Sequence, residues 1–288
     1  MINILVAVLG TALAAVEDFR TGWVSDWITH GMIVFGIVWT LLFAQQQMFF
    51  VFAVAAAVFL LGYAAYAFGQ MGGGDVKLFT ALALLVPYHP AELSPYLQQL
   101  GITPVPANYP FIVSIFVMFG LLYMFFISII YLRKIYERKQ KIKDFRQKIT
   151  KGVIYAALFV PIIVLWTSFF RSFIVFAPAI FLSMLLLPFK DDIIKLFFMQ
   201  NRKVSQLNNE DVFALEFIPV AVKKKLGLWR KTFTDVELGR IKAKAKKAKI
   251  NSLPVCDHMP CAVPYIFGAL LISLILGDFI LWLVLNVG

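Results

Sequence analysis

The sequence predicts an all-α polytopic membrane protein, with about eight transmembrane or near-transmembrane helices (six at the fewest) and a small basic cytoplasmic domain. Three observations carry that class. The mean hydropathy is +0.82 and only 15% of the residues are charged, where a soluble domain has about a quarter. Apolar runs recur along the chain at lengths near the roughly 20 residues that cross a bilayer core. They do not alternate as barrel strands must, which leaves helices as the spanning element.

The runs are 2–16, 27–44, 48–68, 76–87, 109–132, 152–189 and 262–285. The first is read as a membrane helix and not as a removable leader, because no basic residue precedes it and Glu17 and Asp18 follow it. The stretch 152–189 is too long for one crossing. The break at "TSFFRS" and Pro178 makes it a helical hairpin turning near Arg171. The chain divides into membrane helices over 1–132, a basic loop at 133–151, the hairpin at 152–189, a cytoplasmic domain at 190–252 and a C-terminal transmembrane segment at 253–288.

Charge sets the orientation. With the N-terminus outside, the inner side collects Arg20, Lys77, nine basic residues in 133–151 and fifteen in 190–252, and only Arg171 falls outside. The outer loops 45–47 and 88–108 hold no Lys or Arg. This is the positive-inside pattern, and a single crossing at 152–189 would break it. The block 133–151 is expected to lie, largely helical, against anionic headgroups. A nucleic-acid partner is not indicated, since the charge sits where topology already requires it. Within 190–252, Thr234 followed by Glu237 reads as the capped start of a helix. About 60 residues make a marginal core, so this domain is expected to lean on its surroundings.

Cys256 and Cys261 flank "DHMP". With His258 they fall short of a metal's ligand set at workable spacing, so they are read as ordinary thiols, with no disulfide framework, no metal and no cofactor.

Two carboxylates stand out. Asp75 follows "MGGG" and opens the run "VKLFTALALLVP". That run is about 12 residues, or about 18 Å of helix. So short a crossing implies that the helix begins below headgroup level, behind irregular backbone that is tolerated there only inside protein or along a wet cavity. Glycines would supply positive φ and close approach. Asp18, in "AAVEDFRTGWVSDW", ends the first run at the same membrane edge. Two carboxylates at one depth on different helices are what an aspartic protease needs. One, ionised, takes a proton from a shared water; the other, protonated, donates to the scissile carbonyl. Close like charges cannot both ionise, so such a pair shares one proton. Taken singly, each has a plainer role: Asp75 as a helix cap, Asp18 as an interfacial charge. Glu17 and Asp26 are neighbouring acids, and Asp26 reads as the N-cap of the second helix. Lys77 either biases the pair or snorkels to headgroups.

The segment "D-FRTGWVSD" from Asp18, and "GGGD" from Gly72 to Asp75, resemble the type IV prepilin and preflagellin (archaellin) peptidases, membrane aspartic proteases of the Gly-x-Gly-Asp class. The likeness covers residues 1–87, in motifs, spacing and helix order, and is loose beyond residue 110. It implies that Asp18 and Asp75 are the catalytic pair and that Gly72 and Gly74 shape the loop presenting Asp75. The family's Ile/Val-Pro-Asn-like turn reads Val24-Ser25-Asp26 here. Bacterial members usually insert a four-cysteine zinc-binding region after the first helix. Only ten residues separate the first two runs here, so methylation of the new N-terminus is not supported and the archaeal-type branch fits better. The implied substrates are pilin-like or archaellin precursors, cut at the cytoplasmic face to release a short basic leader, with anionic lipid as a further partner.

Three other classes were weighed. Presenilin-type proteases share Gly-x-Gly-Asp but carry Tyr-Asp and Pro-Ala-Leu motifs, which this chain lacks. A transporter or ion pathway would put acids inside spans; only Asp278, in the outer half of the last run, does so, and no inverted repeat is visible. A structural scaffold gives no reason to match two acids in depth.

Overall fold

In the computed structural model of the chain, the described residues are 1–106, 108–169, 175–208, 211–256, 260–279, 281–282 and 285. Five helices among them are long and apolar enough to cross a membrane: α1 (Ile2–Thr21), α2 (Asp26–Phe43), α3 (Met48–Ala67, extended by a 3₁₀ turn at its start), α6 (Phe111–Glu137) and the Phe145–Leu165 part of α7 (Phe145–Phe169). Shorter apolar helices are α4 (Gly73–Leu85), α8 (Ala177–Leu186) and α12 (Val263–Leu276), with the small α5 (Ser94–Gln99) and α9 (Lys190–Ile193) between. The chain is a multi-pass helical membrane protein. Side chains such as Phe49 (83% exposed) and Leu61 (73%) project outward from α3, as lipid-facing residues do.

α4 is the exception to that outward greasiness. Leu78 to Leu85 are all buried, within a bundle in which α1, α2 and α3 pack around the helix. A helix apolar on every face belongs inside a bundle, which is why 13 residues suffice here. Lipid is as apolar as leucine, so the helices are held by close packing, for which small residues make room. A Cβ on Gly36 would come within 2.8 Å of Leu84, and one on Gly62 within 2.8 Å of Val76. Two buried threonine hydroxyls are satisfied within their own helices: Thr11 donates to Ala7 O and Thr80 to Val76 O.

α1 runs antiparallel to α4. At one end the Asn3 side chain donates to Leu85 O, filling one of the carbonyls left open where α4 stops. The other ends of these two helices carry Asp18 and Asp75. α12 packs against both α1 and α6.

The start of α7 meets the end of α8, where Gly152 lies against the Leu185 backbone, as an antiparallel pair requires. The expected turn near Arg171 lies outside the described residues. The basic block 133–151 is divided between the end of α6, a 3₁₀ turn at Lys139–Lys141 and the start of α7.

A second buried cluster, from Val204 to Val255, forms the core of a small unit. It contains a sheet that the sequence reading did not assign: β1 (Met199–Lys203), β3 (Ser252–Cys256) and β2 (Val212–Phe213), antiparallel in the order β1-β3-β2. α10 (Val220–Leu226) and α11 (Asp235–Lys247) accompany it. α11 starts as its sequence indicated, with Thr234 as N-cap and the Glu237 carboxylate accepting from the Thr234 N–H at 3.0 Å. The unit does lean on the helices. Thr232 reaches the carbonyls of Tyr66 and Ala67 at the end of α3, and Lys231 packs on Gly69, whose φ of +66° is open to glycine at little cost.

One expectation about a helix end is corrected. Ser25 occupies the N-cap of α2, with Asp26 as its first helical residue. Asp278 lies beyond the end of α12, buried, accepting from Ser114 Oγ at 2.9 Å and Leu281 N–H at 2.7 Å. It is a structural acceptor joining α6 to the chain after α12.

Candidate active site

Asp18 sits in the last turn of α1 and is buried, with 6% of its surface exposed. The helix stops just after it because Gly22 takes the left-handed conformation (φ +74°) and its N–H returns to Asp18 O at 2.8 Å. The connection to α2 is pinned by Glu17, whose carboxylate accepts from the Ser25 N–H at 2.8 Å and is also bonded to the Ser25 hydroxyl. Thus the serine that stands in the Val24-Ser25-Asp26 turn has a defined task, and Glu17 is committed to it.

Asp75 sits at the third position of α4, and the N-cap is Gly72. The expectation of an irregular "MGGG" is corrected, because Gly73 and Gly74 are already helical. So is the expectation of positive φ, which among these glycines fails: Gly72 has φ −74°, and the left-handed glycine nearby is Gly69. The glycines are needed for space. The Asp75 side chain folds back so that Oδ2 accepts the Gly72 N–H at 3.1 Å, half of a capping box. A Cβ on Gly72 would lie 3.1 Å from that same oxygen. A Cβ on Gly74 would lie 3.2 Å from Cβ of Val24, where the α1–α2 connection crosses the first turn of α4. Gly73 faces the ring of Tyr66.

The fold brings the two acids together. The Asp18 carboxylate is within electrostatic reach of Asp75, and Tyr123 on α6 is within electrostatic range of both. Asp75 therefore caps α4 and faces a second acid at once, so the plainer reading of it as a cap and the chemical one are compatible. Asp26 stands apart, paired with Lys77 at 2.5 Å. Lys77 is turned to Asp26 and away from the acid pair. Among the described residues no three His, Cys, Asp or Glu side chains form a group that could hold a metal ion, and His258 lies outside those residues.

Residues that the sequence did not single out also meet at this site. The Val263 N–H, at the start of α12, donates to Asp18 Oδ2 at 3.1 Å, with the Ala262 N–H beside it. The Cys261 thiol donates to Asp18 O at 3.2 Å. The reading of Cys261 as an ordinary thiol is amended accordingly. Tyr265, one turn into α12, packs edge-on against Tyr123 with ring centres 5.5 Å apart.

Two helix-borne acids, within electrostatic reach of each other at one end of α4 in a multi-pass membrane protein, form the candidate site. Residues 5–133 match the type IV leader peptidase family. The chain is similar to a prepilin peptidase, EppA, of Methanothermobacter thermautotrophicus, with 31% identity over 140 residues, which cover 44% of this chain and 36% of that protein. It is similar also to the preflagellin peptidases of Methanocaldococcus jannaschii (30% identity, 30% of this chain, 39% of that one) and Methanococcus maripaludis (32%, 30% and 40%). The chain thus spans between 36% and 40% of the length of these curated relatives. No solved structure matches it. Asp18, Gly72, Gly74 and Asp75 fall inside the family span; Cys261, Ala262 and Val263 fall outside it.

Proposed function

We propose that the chain is a membrane aspartic endopeptidase that removes the short basic leader from type IV pilin-like or archaellin precursors. The observation that carries this reading is the pairing of Asp18 with Asp75 at one end of α1 and α4, inside the family span. With one proton between them, the ionised acid takes a proton from a water, and the water attacks the scissile carbonyl. The protonated acid donates to the carbonyl oxygen. On collapse of the tetrahedral intermediate, a proton passes to the leaving amine. The acids hold and move protons throughout, and their own backbone ties (Gly72 to Asp75, Val263 to Asp18) keep them oriented.

The charge distribution supports a cytoplasmic site with the N-terminus outside. In that orientation the basic blocks 133–151 and 190–252 face anionic lipid on the inner leaflet. A precursor would lie with its hydrophobic helix in the bilayer and its leader junction at the end of α4. Glu17 and Asp26 are already engaged, with Ser25 and Lys77, so attraction of the basic leader falls to the acid pair itself and to lipid.

The reading is tested by incubating purified protein in liposomes with a panel of pilin-like and archaellin-like precursors. Release of the leader at one bond supports it. A panel left uncut by the wild type, with proton or cation flux in the same liposomes, would replace it with the transport reading.

A further inference from the structure

The family span ends at residue 133, yet Asp18 takes its backbone hydrogen bonds from the far end of the chain. The Val263 N–H, 245 residues away in sequence, meets Oδ2 at 3.1 Å, and the Cys261 thiol meets the Asp18 carbonyl at 3.2 Å. The contact is built and not incidental. Val263 is fully buried, and α12 behind it contributes Ile266, Ala269 and Leu270 to the same core as α1 and α4. Tyr265 adds its edge-on contact to Tyr123, whose ring lies on α6 in the same bundle. The first N–H groups of a helix have no partner inside it and need an acceptor; here the acceptor is Asp18.

We infer that Cys261 to Val263, at the head of α12, form a positioning element that fixes Asp18 against Asp75, so that the acid pair is completed by a part of the chain outside the leader-peptidase span. The inference rests on the proposed peptidase reading. Physically, a carboxylate on the last turn of a helix can swing, and a proton-sharing pair works only within a narrow geometry. A backbone donor on Oδ2 and a thiol on the adjoining carbonyl hold both the side chain and its helix end. Cys261 is the handle for testing this, because its thiol can be altered without touching either acid. Alkylation is run in mildly alkaline buffer, where more of a thiol is present as the reactive thiolate.

The experiment uses the full chain in liposomes and has two arms. In the first, Asp18→Cys in a Cys256→Ser background is treated with a short bifunctional thiol reagent and the remaining thiols are counted with a maleimide; because the Cys261 thiol stands at the Asp18 carbonyl, loss of both thiols as an intramolecular cross-link is expected. In the second, kcat and KM for a cleaved precursor are measured for Cys261→Ala, Cys261→Ser and N-ethylmaleimide-treated Cys256→Ser protein. Cys261→Ala is expected to lower kcat about three- to tenfold, the span of one ordinary hydrogen bond, with KM unchanged. Cys261→Ser, which keeps a donor, restores it. Alkylation of Cys261 lowers kcat further, and protein lacking both cysteines resists the reagent.

Absence of the cross-link overturns the placement. A cross-link together with unchanged kcat in Cys261→Ala and in the alkylated protein reduces the segment to packing and overturns the positioning role. If the wild type cuts no precursor, the peptidase reading fails and the role falls with it. The cross-link then still reports the contact, so the two failures are told apart.

Discussion

Lys77 on α4 pairs with Asp26 at the head of α2, Nζ to Oδ1 at 2.5 Å. The pair ties the helix that carries Asp75 to the connection that follows Asp18, and it removes Asp26 from the acids available for chemistry. Asp26 is two-thirds exposed, and such a pair contributes about 0–1 kcal/mol. Asp26→Asn is therefore expected to leave cleavage within about twofold of wild type, and a rate measurement at physiological salt checks it.

The second expectation concerns Gly74. Its hydrogen points at Val24, and a methyl there would stand 3.2 Å from the Val24 Cβ. Gly74→Ala forces the first turn of α4 away from the α1–α2 connection, at a cost of about 1–3 kcal/mol typical of overpacking. Cleavage should fall severalfold, while Val24→Gly placed in the same chain, which removes the opposing Cβ, should recover part of it. Equal activity in Gly74→Ala and wild type would contradict the contact.

Two glycines on α2 should part ways. Gly36 packs on Leu84, and an added Cβ would sit 2.8 Å away, whereas nothing lies within 4 Å of Gly31. Gly36→Ala is expected to destabilise by about 1–3 kcal/mol. Gly31→Ala should be neutral or stabilising by up to about 1 kcal/mol, through helix propensity alone. Thermal unfolding of both variants in detergent separates them.

The small unit carries a pH-dependent cap. The Thr234 N–H, the Arg230 guanidinium and the Thr234 hydroxyl all bind the Glu237 carboxylate and push its pKa down to about 2. A carboxylate depressed in the folded state adds stability that is complete above its unfolded value, near 4.5, and is lost as pH falls toward about 2. Glu237→Gln should thus weaken amide protection at the start of α11 at pH 7. The difference from wild type should shrink as the pH drops through that window. Hydrogen exchange followed by mass spectrometry reads both.

Most of the membrane helices were legible because their apolar runs are long and bounded by polar residues, as at Gln45–Gln47 and Arg133. Asp18 and Asp75 were expected at one level because the threading of the apolar runs ends α1 and begins α4 on the same side, and in the structure they lie within electrostatic reach of each other. The start of α4 was misread for a local reason. Three consecutive glycines look like loop, and only the fold shows that two of them are helical because Val24 and Tyr66 press on that turn. Ser25 displaced Asp26 from the cap of α2 because Glu17, eight residues back, holds it there. The sheet of the small unit joins residues near 200 to residues near 255, and its short strands carry no alternation strong enough to announce it. The tie from Val263 to Asp18 had no signal at all, since a backbone N–H leaves no trace in residue identity.

The peptidase reading stands or falls on the two acids. Cleavage of a matched precursor in liposomes is compared for wild type, Asp18→Asn and Asp75→Asn, with Asp26→Asn as the folded control. Loss of a group that shares and transfers the proton should bring each of the first two variants below about one hundredth of the wild-type rate, while the control cuts normally. Cleavage that persists near the wild-type rate in either Asp18→Asn or Asp75→Asn would contradict the acid-pair mechanism and leave Asp75 as the cap of α4.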